Sequence, residues 1–251
     1  MEILEILYEH IWKGKFSAPI QDRLTSSNMC VLDIGSGTGS WITSMAELYP
    51  KSSFIGLDII DFKKGDDLPN LAFIKGNIFD GLPFPDNTFD YVHQSNMMIS
   101  IQKDQWKFVI DEIVRVTKPN GWMEFMERNP RSNSLGPVMD ELSKLFVAYL
   151  RSSGVHTKIN KELEKMLLNT NQVTDIGINS KGIPIGSWGG YVGELFCKTF
   201  DELYSARLSG LLDFMRIPEE VLIEKKVKIA PLEYNKYKTY AKVYRTYGRK
   251  I

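Results

Sequence analysis

Short apolar runs dominate the first half of the chain. Cys30, Val31 and Leu32 lead into Asp33, and Ser53 to Leu57 leads into Asp58. Leu71 to Lys75, Phe89 to Gln94 and Trp122 to Glu127 repeat the form. Runs of this length between turn residues read as buried strands of a parallel sheet. Helical stretches lie between them. Ser40 to Tyr49 stops at Pro50, and Asp104 to Thr117 places Trp106, Val109, Ile110, Ile113 and Val116 near helical spacing. Asp61 to Asn70 reads as a polar loop, Gly81 to Thr88 is too rich in proline for regular structure, and Lys118 to Gly121 ends the second helix.

Past Arg128 the pattern changes. Helices are predicted at about 137–152 and 160–170, then a strand from Val173 to Ile183 broken at Gly177. A loop covers Pro184 to Gly190, helices follow at about 191–214 and 218–229, and Tyr240 to Tyr247 is a last strand ended by Gly248. The alternation predicts an α/β fold, a doubly wound and mostly parallel seven-stranded sheet with helical additions. One domain is expected over residues 1–251. Its parts are an N-terminal lid helix (1–20), a ligand-binding core (21–128), a helical cap with the sixth strand (128–215), and a C-terminal helix with the last strand (216–251). Ile3, Leu4, Ile6, Leu7, Ile11 and Trp12 give the first segment an apolar face that needs a surface to cover.

Ligands of such sheets bind at the carboxyl ends of the strands, where this sequence is most specific. Asp33 is followed by Gly35, Ser36, Gly37, Thr38 and Gly39. A dinucleotide site wants Gly-x-Gly-x-x-Gly; here the order is Asp-x-Gly-x-Gly-x-Gly, with a carboxylate suited to a cationic amino group. Asp58, at the end of the second strand, suits ribose hydroxyls. A ligand with a ribose and a charged amino acid part is implied, and S-adenosylmethionine (SAM) has both.

Composition adds bounds. The 251 residues suffice for one α/β domain with additions, and 43% hydrophobic with 25% charged residues reads as globular. No apolar run approaches 20 residues, so no membrane span is expected. The first seven residues carry early acids and no basic leader, which reads against a secretory signal and for a cytoplasmic protein, with a nuclear location open. Cys30 and Cys197 read as thiols in a reducing compartment, without metal-site spacing. Net charge is zero, yet nine Lys/Arg and one acid lie from Lys225 onward. That basic tail reads as a solvated face rather than a nucleic-acid surface.

Val31–Gly39, Asp58, Asn77-Ile78, Phe89-Asp90-Tyr91 and Arg115 to Gly121 make residues 20–128 resemble class I SAM-dependent methyltransferases. Phe16 to Ile20, Leu82 to Asp90, Gly121 to Glu124 and Tyr247 to Lys250 resemble fungal LaeA-like methyltransferases, small-molecule enzymes or regulators of secondary metabolism. The resemblance implies that Gly35, Gly37 and Gly39, with Ser36 and Thr38 between them, line the methionine part of SAM, with Asp33 near its amino group. It places Asp58 on the ribose, Ile59 and Ile78 on the adenine, Asn77 on the adenine amine, and Gln94 and Ser95 toward the methyl donor. Asn120 stands where a second glycine is expected; asparagine tolerates the left-handed turn.

Catalytic candidates are fewer. Methyl transfer from a sulfonium needs positioning first and a base only where the acceptor must lose a proton. Glu127, at the end of its strand, is a candidate substrate contact, and Glu124 lies on the opposite face. His156 and Tyr8 are minority candidates for a base. His93 reads as a satisfied structural histidine. Tyr8, Trp12, Phe16, Trp188 and Tyr191 fit a pocket lining or core packing equally. The expected acceptor is a small molecule methylated on O or N; a SAM-binding regulator with protein partners and an RNA methyltransferase are the alternatives.

Overall fold

The computed structural model describes residues 2–61, 68–205, 208–216 and 218–251. Most of the predicted loop at 61–70 therefore lies outside the described residues. The chain opens with α1 (Glu2–Trp12) and α2 (Gln21–Ser26). The core alternates as the pattern requires: β1 (Cys30–Ile34), α3 (Ser40–Leu48), β2 (Ser53–Asp58), β3 (Leu71–Lys75), β4 (Phe89–Ser95), α4 (Trp106–Val116) and β5 (Thr117–Arg128). Then come α5 (Pro137–Ser152), α6 (Ile159–Leu168), β6 (Val173–Pro184), α7 (Gly190–Ser205), α8 (Leu208–Met215), α9 (Glu219–Glu224), α10 (Ala230–Tyr237) and β7 (Tyr240–Lys250).

The seven strands form one sheet in the order β3-β2-β1-β4-β5-β7-β6. The first five are mutually parallel, and β7 runs antiparallel between β5 and β6. The order reverses between β1 and β4, which sets the ligand crevice at their carboxyl ends.

Four elements differ from expectation; one is β7, which runs through Gly248 to Lys250 instead of ending at Gly248. The turn predicted at Lys118–Gly121 is the start of β5, with a register shift opposite Phe89 and Tyr91 and with Asn120 left-handed at φ 62°. Gly177 shifts the register of β6 without ending it, as glycine does at a bulge. The helix predicted over 218–229 is α9, a wide turn at 225–229 and then α10, which Pro231 opens in its first turn.

Strand alternation separates two cores. Leu32, Ile34, Val92, Met123 and Phe125 face the cluster built with α4, α5 and α6. Val31 and Tyr91 face the cluster of α2 and α3. A third cluster packs Leu7 and Tyr8 of α1 against Met126, Ile183, Val243 and Phe196. The basic tail is solvated only in part: Lys228, Lys236 and Lys238 are exposed, whereas Lys250 is buried and donates to the carbonyls of Val114 and Thr117, at 2.7 and 2.9 Å. Arg245 is buried beside Glu124, 3.5 Å away. Burial is possible because these bases sit on β7, inside the sheet, where their donors meet backbone acceptors. Among the described residues no helix is long and apolar enough to cross a membrane, and no His, Cys, Asp and Glu cluster has the geometry to hold a metal. Neither Cys30 nor Cys197 is in a disulfide.

Candidate functional site

A cavity of about 290 Å³ opens where β1 and β4 end. One wall is the loop between β1 and α3, where Gly35 and Gly39 have φ of 69° and 76°. A side chain there would be strained, and a Cβ would also strike Met97 at the first position and the Phe73 ring at the second. Ser36, Gly37 and Thr38 line the space. Asp58 reaches across from β2: its Oδ2 accepts the Gly37 amide at 2.8 Å and its Oδ1 the Ile60 amide at 3.0 Å.

A second wall is the segment after β4, with Ser95, Asn96, Met97, Ile99 and Ser100. It is held from β5. Glu127 is 1% exposed, and its two oxygens accept the amides of Met97 and Met98 at 2.8 and 3.1 Å. Burial pushes its carboxyl up to about 8, against the opposing pull of those amides. Glu127 is therefore spent on backbone rather than aimed at a substrate. Its strand end placed it near the loop, and buried loop amides need acceptors.

The roof is α1, which contributes Leu4 and Glu5. Tyr8 is 1% exposed and donates to Asn96 Oδ1 at 3.0 Å; burial pushes its hydroxyl up to about 12, so it holds Asn96 rather than serving as a base. Residues after α1 are tied down by buried polar groups. Trp41 Nε1 donates to the Lys15 carbonyl at 3.0 Å, Glu124 accepts the amides of Ser17 and Ala18, both at 2.8 Å, and Arg245 donates to the Gly14 carbonyl at 3.1 Å. Arg245 also stacks over the Trp12 ring, 4.7 Å from its centroid.

At the floor, Asp33, His93 and Glu124 lie in one register row across β1, β4 and β5. His93 Nδ1 sits 2.8 Å from Asp33 Oδ1, and its ring stacks on Trp41 at 3.9 Å. Burial raises the Asp33 carboxyl, with the His93 hydrogen bond opposing. His93 Nε2 and the Ser36 hydroxyl are buried without a protein partner, and both residues line the cavity.

The expected residues separate accordingly. Asp33, Gly35, Ser36, Gly37, Thr38, Asp58 and Ser95 come together. Gln94 does not: it is wholly buried on the opposite face of β4, and His93 takes the cavity side. The cavity lies on the face of Asp33, and alternation along β4 puts residue 93 there rather than 94. His93 is correspondingly not fully satisfied. Ile78 is core, Asn77 caps the following turn by accepting the Phe79 amide, and Ile59 is exposed beyond Asp58. His156 pairs with Glu162 at 3.0 Å and is not among the residues lining the cavity. Trp188 lies in the β6–α7 connection, its Nε1 donating to the carbonyls of Ile185 and Thr239, and Tyr191 is 77% exposed; neither lines the cavity. Sequence reasoning missed Glu5 and the anchoring role of Glu124. Alternation that gave Glu124 the face opposite Glu127 was the available signal.

The walls fit SAM. Glycine backbone, an orphaned buried hydroxyl, a buried acid–imidazole pair and a strand-end acid offer the donors and acceptors that its amino acid and ribose parts need.

Residues 31–121 match the profile of a methyltransferase domain family. The N-methyltransferase verN of Clonostachys rogersoniana is 26% identical over 198 residues, covering 74% of this chain and 67% of that protein. The fold is shared with the Haemonchus contortus phosphoethanolamine N-methyltransferase 2, solved with S-adenosylhomocysteine, at TM-score 0.56 and 16% identity over all of this chain and 57% of that one. It is also shared with YcgJ of Bacillus subtilis, at TM-score 0.56 and 18% identity over 92% and 95%. Residues 31–121 are thus similar to a methyltransferase domain, and the chain shares its fold with a solved methyltransferase.

Proposed function

We propose that the protein transfers a methyl group from SAM to an oxygen or nitrogen of a small-molecule acceptor. The observation that carries this reading is the shared cavity. Glycine loop, β4 loop and α1 wall one small space, roofed by a segment that buried polar groups hold in place. A roof of this kind excludes water and fixes the acceptor against the methyl carbon. The N-methyltransferase from C. rogersoniana and the LaeA-like resemblance support a small acceptor in secondary metabolism.

Bound SAM supplies an electrophilic methyl group on a sulfonium. Gly35 to Gly39 offer backbone to its amino acid part, Asp58 takes the ribose hydroxyls, and Ile59, exposed just beyond Asp58, serves the adenine side. Asp58 must then exchange the Gly37 amide for ribose. Asn96, held by Tyr8, and Glu5 face the remaining space, where an acceptor meets polar groups. Positioning supplies the bulk of the acceleration.

The test is a screen of metabolite extracts with the protein and isotope-labelled SAM. The expected result is a product heavier by one labelled methyl. SAM binding with no labelled product from any extract favours the regulator instead.

A further inference from the structure

One ring nitrogen of His93 has no protein partner. His93 is 1% exposed, its ring is fixed by Trp41 on one side and by Asp33 at Nδ1, and Nε2 is left without a protein partner in a residue that lines the cavity. With Asp33 accepting, Nδ1 carries the proton and Nε2 is a bare acceptor. A buried acceptor left unpaired costs free energy, so this nitrogen awaits a donor.

The charges around it select which donor. Glu5 enters the cavity from α1, where burial first and then the Asp33 charge raise its carboxyl. Two acids thus share one desolvated spot. The nearby cations are committed elsewhere: Lys15 to Glu9 at 2.7 Å, and Arg245 to Glu124 and Trp12. An anionic or neutral ligand group would leave this spot short of positive charge, whereas an ammonium supplies both the charge and the N–H donors.

Resting on the reading of the cavity as the SAM site, we propose that His93 Nε2 accepts a hydrogen bond from the α-ammonium group of the donor, with Asp33 and Glu5 supplying the opposing charge. His93 is then a ligand-binding residue for the donor's amino acid part rather than a base for the acceptor.

Two probes separate these roles. S-Adenosylhomocysteine carries the ammonium; 5′-methylthioadenosine has the same nucleoside and thioether without the amino acid. Calorimetry on the full chain is expected to show tighter binding of S-adenosylhomocysteine. His93→Phe keeps a ring against Trp41 and loses the nitrogen, so S-adenosylhomocysteine binding should weaken tenfold or more while methylthioadenosine is unchanged. Glu5→Gln, at a half-buried position that leaves the sheet intact, should weaken S-adenosylhomocysteine about threefold with the same selectivity. Parallel loss of both probes, or S-adenosylhomocysteine affinity unchanged in both variants, overturns the assignment alone. A wild-type protein that binds neither probe overturns the donor-site reading and this assignment with it.

Discussion

Two walls of the cavity are held by the same device with different security. Glu124 and Glu127 sit three residues apart on β5, on opposite faces, each 1% exposed and each accepting two successive backbone amides. Glu124 grips Ser17 and Ala18 and has Arg245 beside it. The segment it holds is tied again by Trp41 and by Arg245 itself. Glu127 grips Met97 and Met98, and burial raises its carboxyl up to about 8. The N-terminal segment is thus fixed by a charge-balanced network, and the β4 loop by a carboxyl that titrates near neutrality. Backbone pinned by several independent groups keeps its geometry when one is weakened; in the β4 loop, where Asn96 is held separately by Tyr8 and by the Met126 carbonyl, the amides of Met97 and Met98 follow the protonation of Glu127.

The largest effect belongs to Glu124. Glu124→Ala should destabilise the fold by about 3–5 kcal/mol, because it strands the buried Arg245 charge and frees two buried amides. Urea unfolding measures this, and a loss below about 1 kcal/mol would mean that the network is not charge-balanced as described. Asp58 is the glycine wall's counterpart. Asp58→Ala should cost about 2 kcal/mol of S-adenosylhomocysteine binding by calorimetry; unchanged affinity would move the ribose elsewhere.

Glu127 sharpens the contrast through pH. Between about 4.5 and 8 the folded protein retains a proton on Glu127 that the unfolded chain releases. This contribution is present at acid pH and is lost as pH rises through that window. Stability from Glu127 therefore falls toward pH 8, and Glu127→Gln should flatten the slope of wild-type stability over pH 5–8 in parallel urea titrations. Identical slopes in the two proteins would assign the titration to other groups.

The smallest effect is at Trp188. The residue latches the β6–α7 connection to Thr239 and is 39% exposed. Trp188→Ala should cost about 1 kcal/mol of stability and leave S-adenosylhomocysteine affinity unchanged; a selective loss of ligand would return it to the pocket edge.

What could be read from the sequence follows the range of the interactions. The glycine loop, Asp58 and the succession of strands along the chain up to β5 are written locally, in runs and turns a few residues long. The helix bounds of α5 also follow from local periodicity. The antiparallel β7 places its burial in contacts with β5, more than a hundred residues away in the chain, so its bases looked like a solvated tail. Glu124 and its partners at Ser17 and Ala18 are separated by 107 and 106 residues, and no local pattern announces that pairing. His93 was missed for a different reason. Strand alternation puts His93 and Gln94 on opposite faces, but which face carries the cavity is set by where α1 and α3 pack.

Hydrogen exchange of the full chain with and without S-adenosylhomocysteine tests most directly whether the roof belongs to the donor site. The account predicts added protection of amides in the glycine loop at Gly35 to Gly39 together with those of α1 around Leu4 to Tyr8 and the strap at Ser17 and Ala18. Protection confined to the glycine loop and Asp58, with exchange in α1 and the strap unchanged, would contradict it.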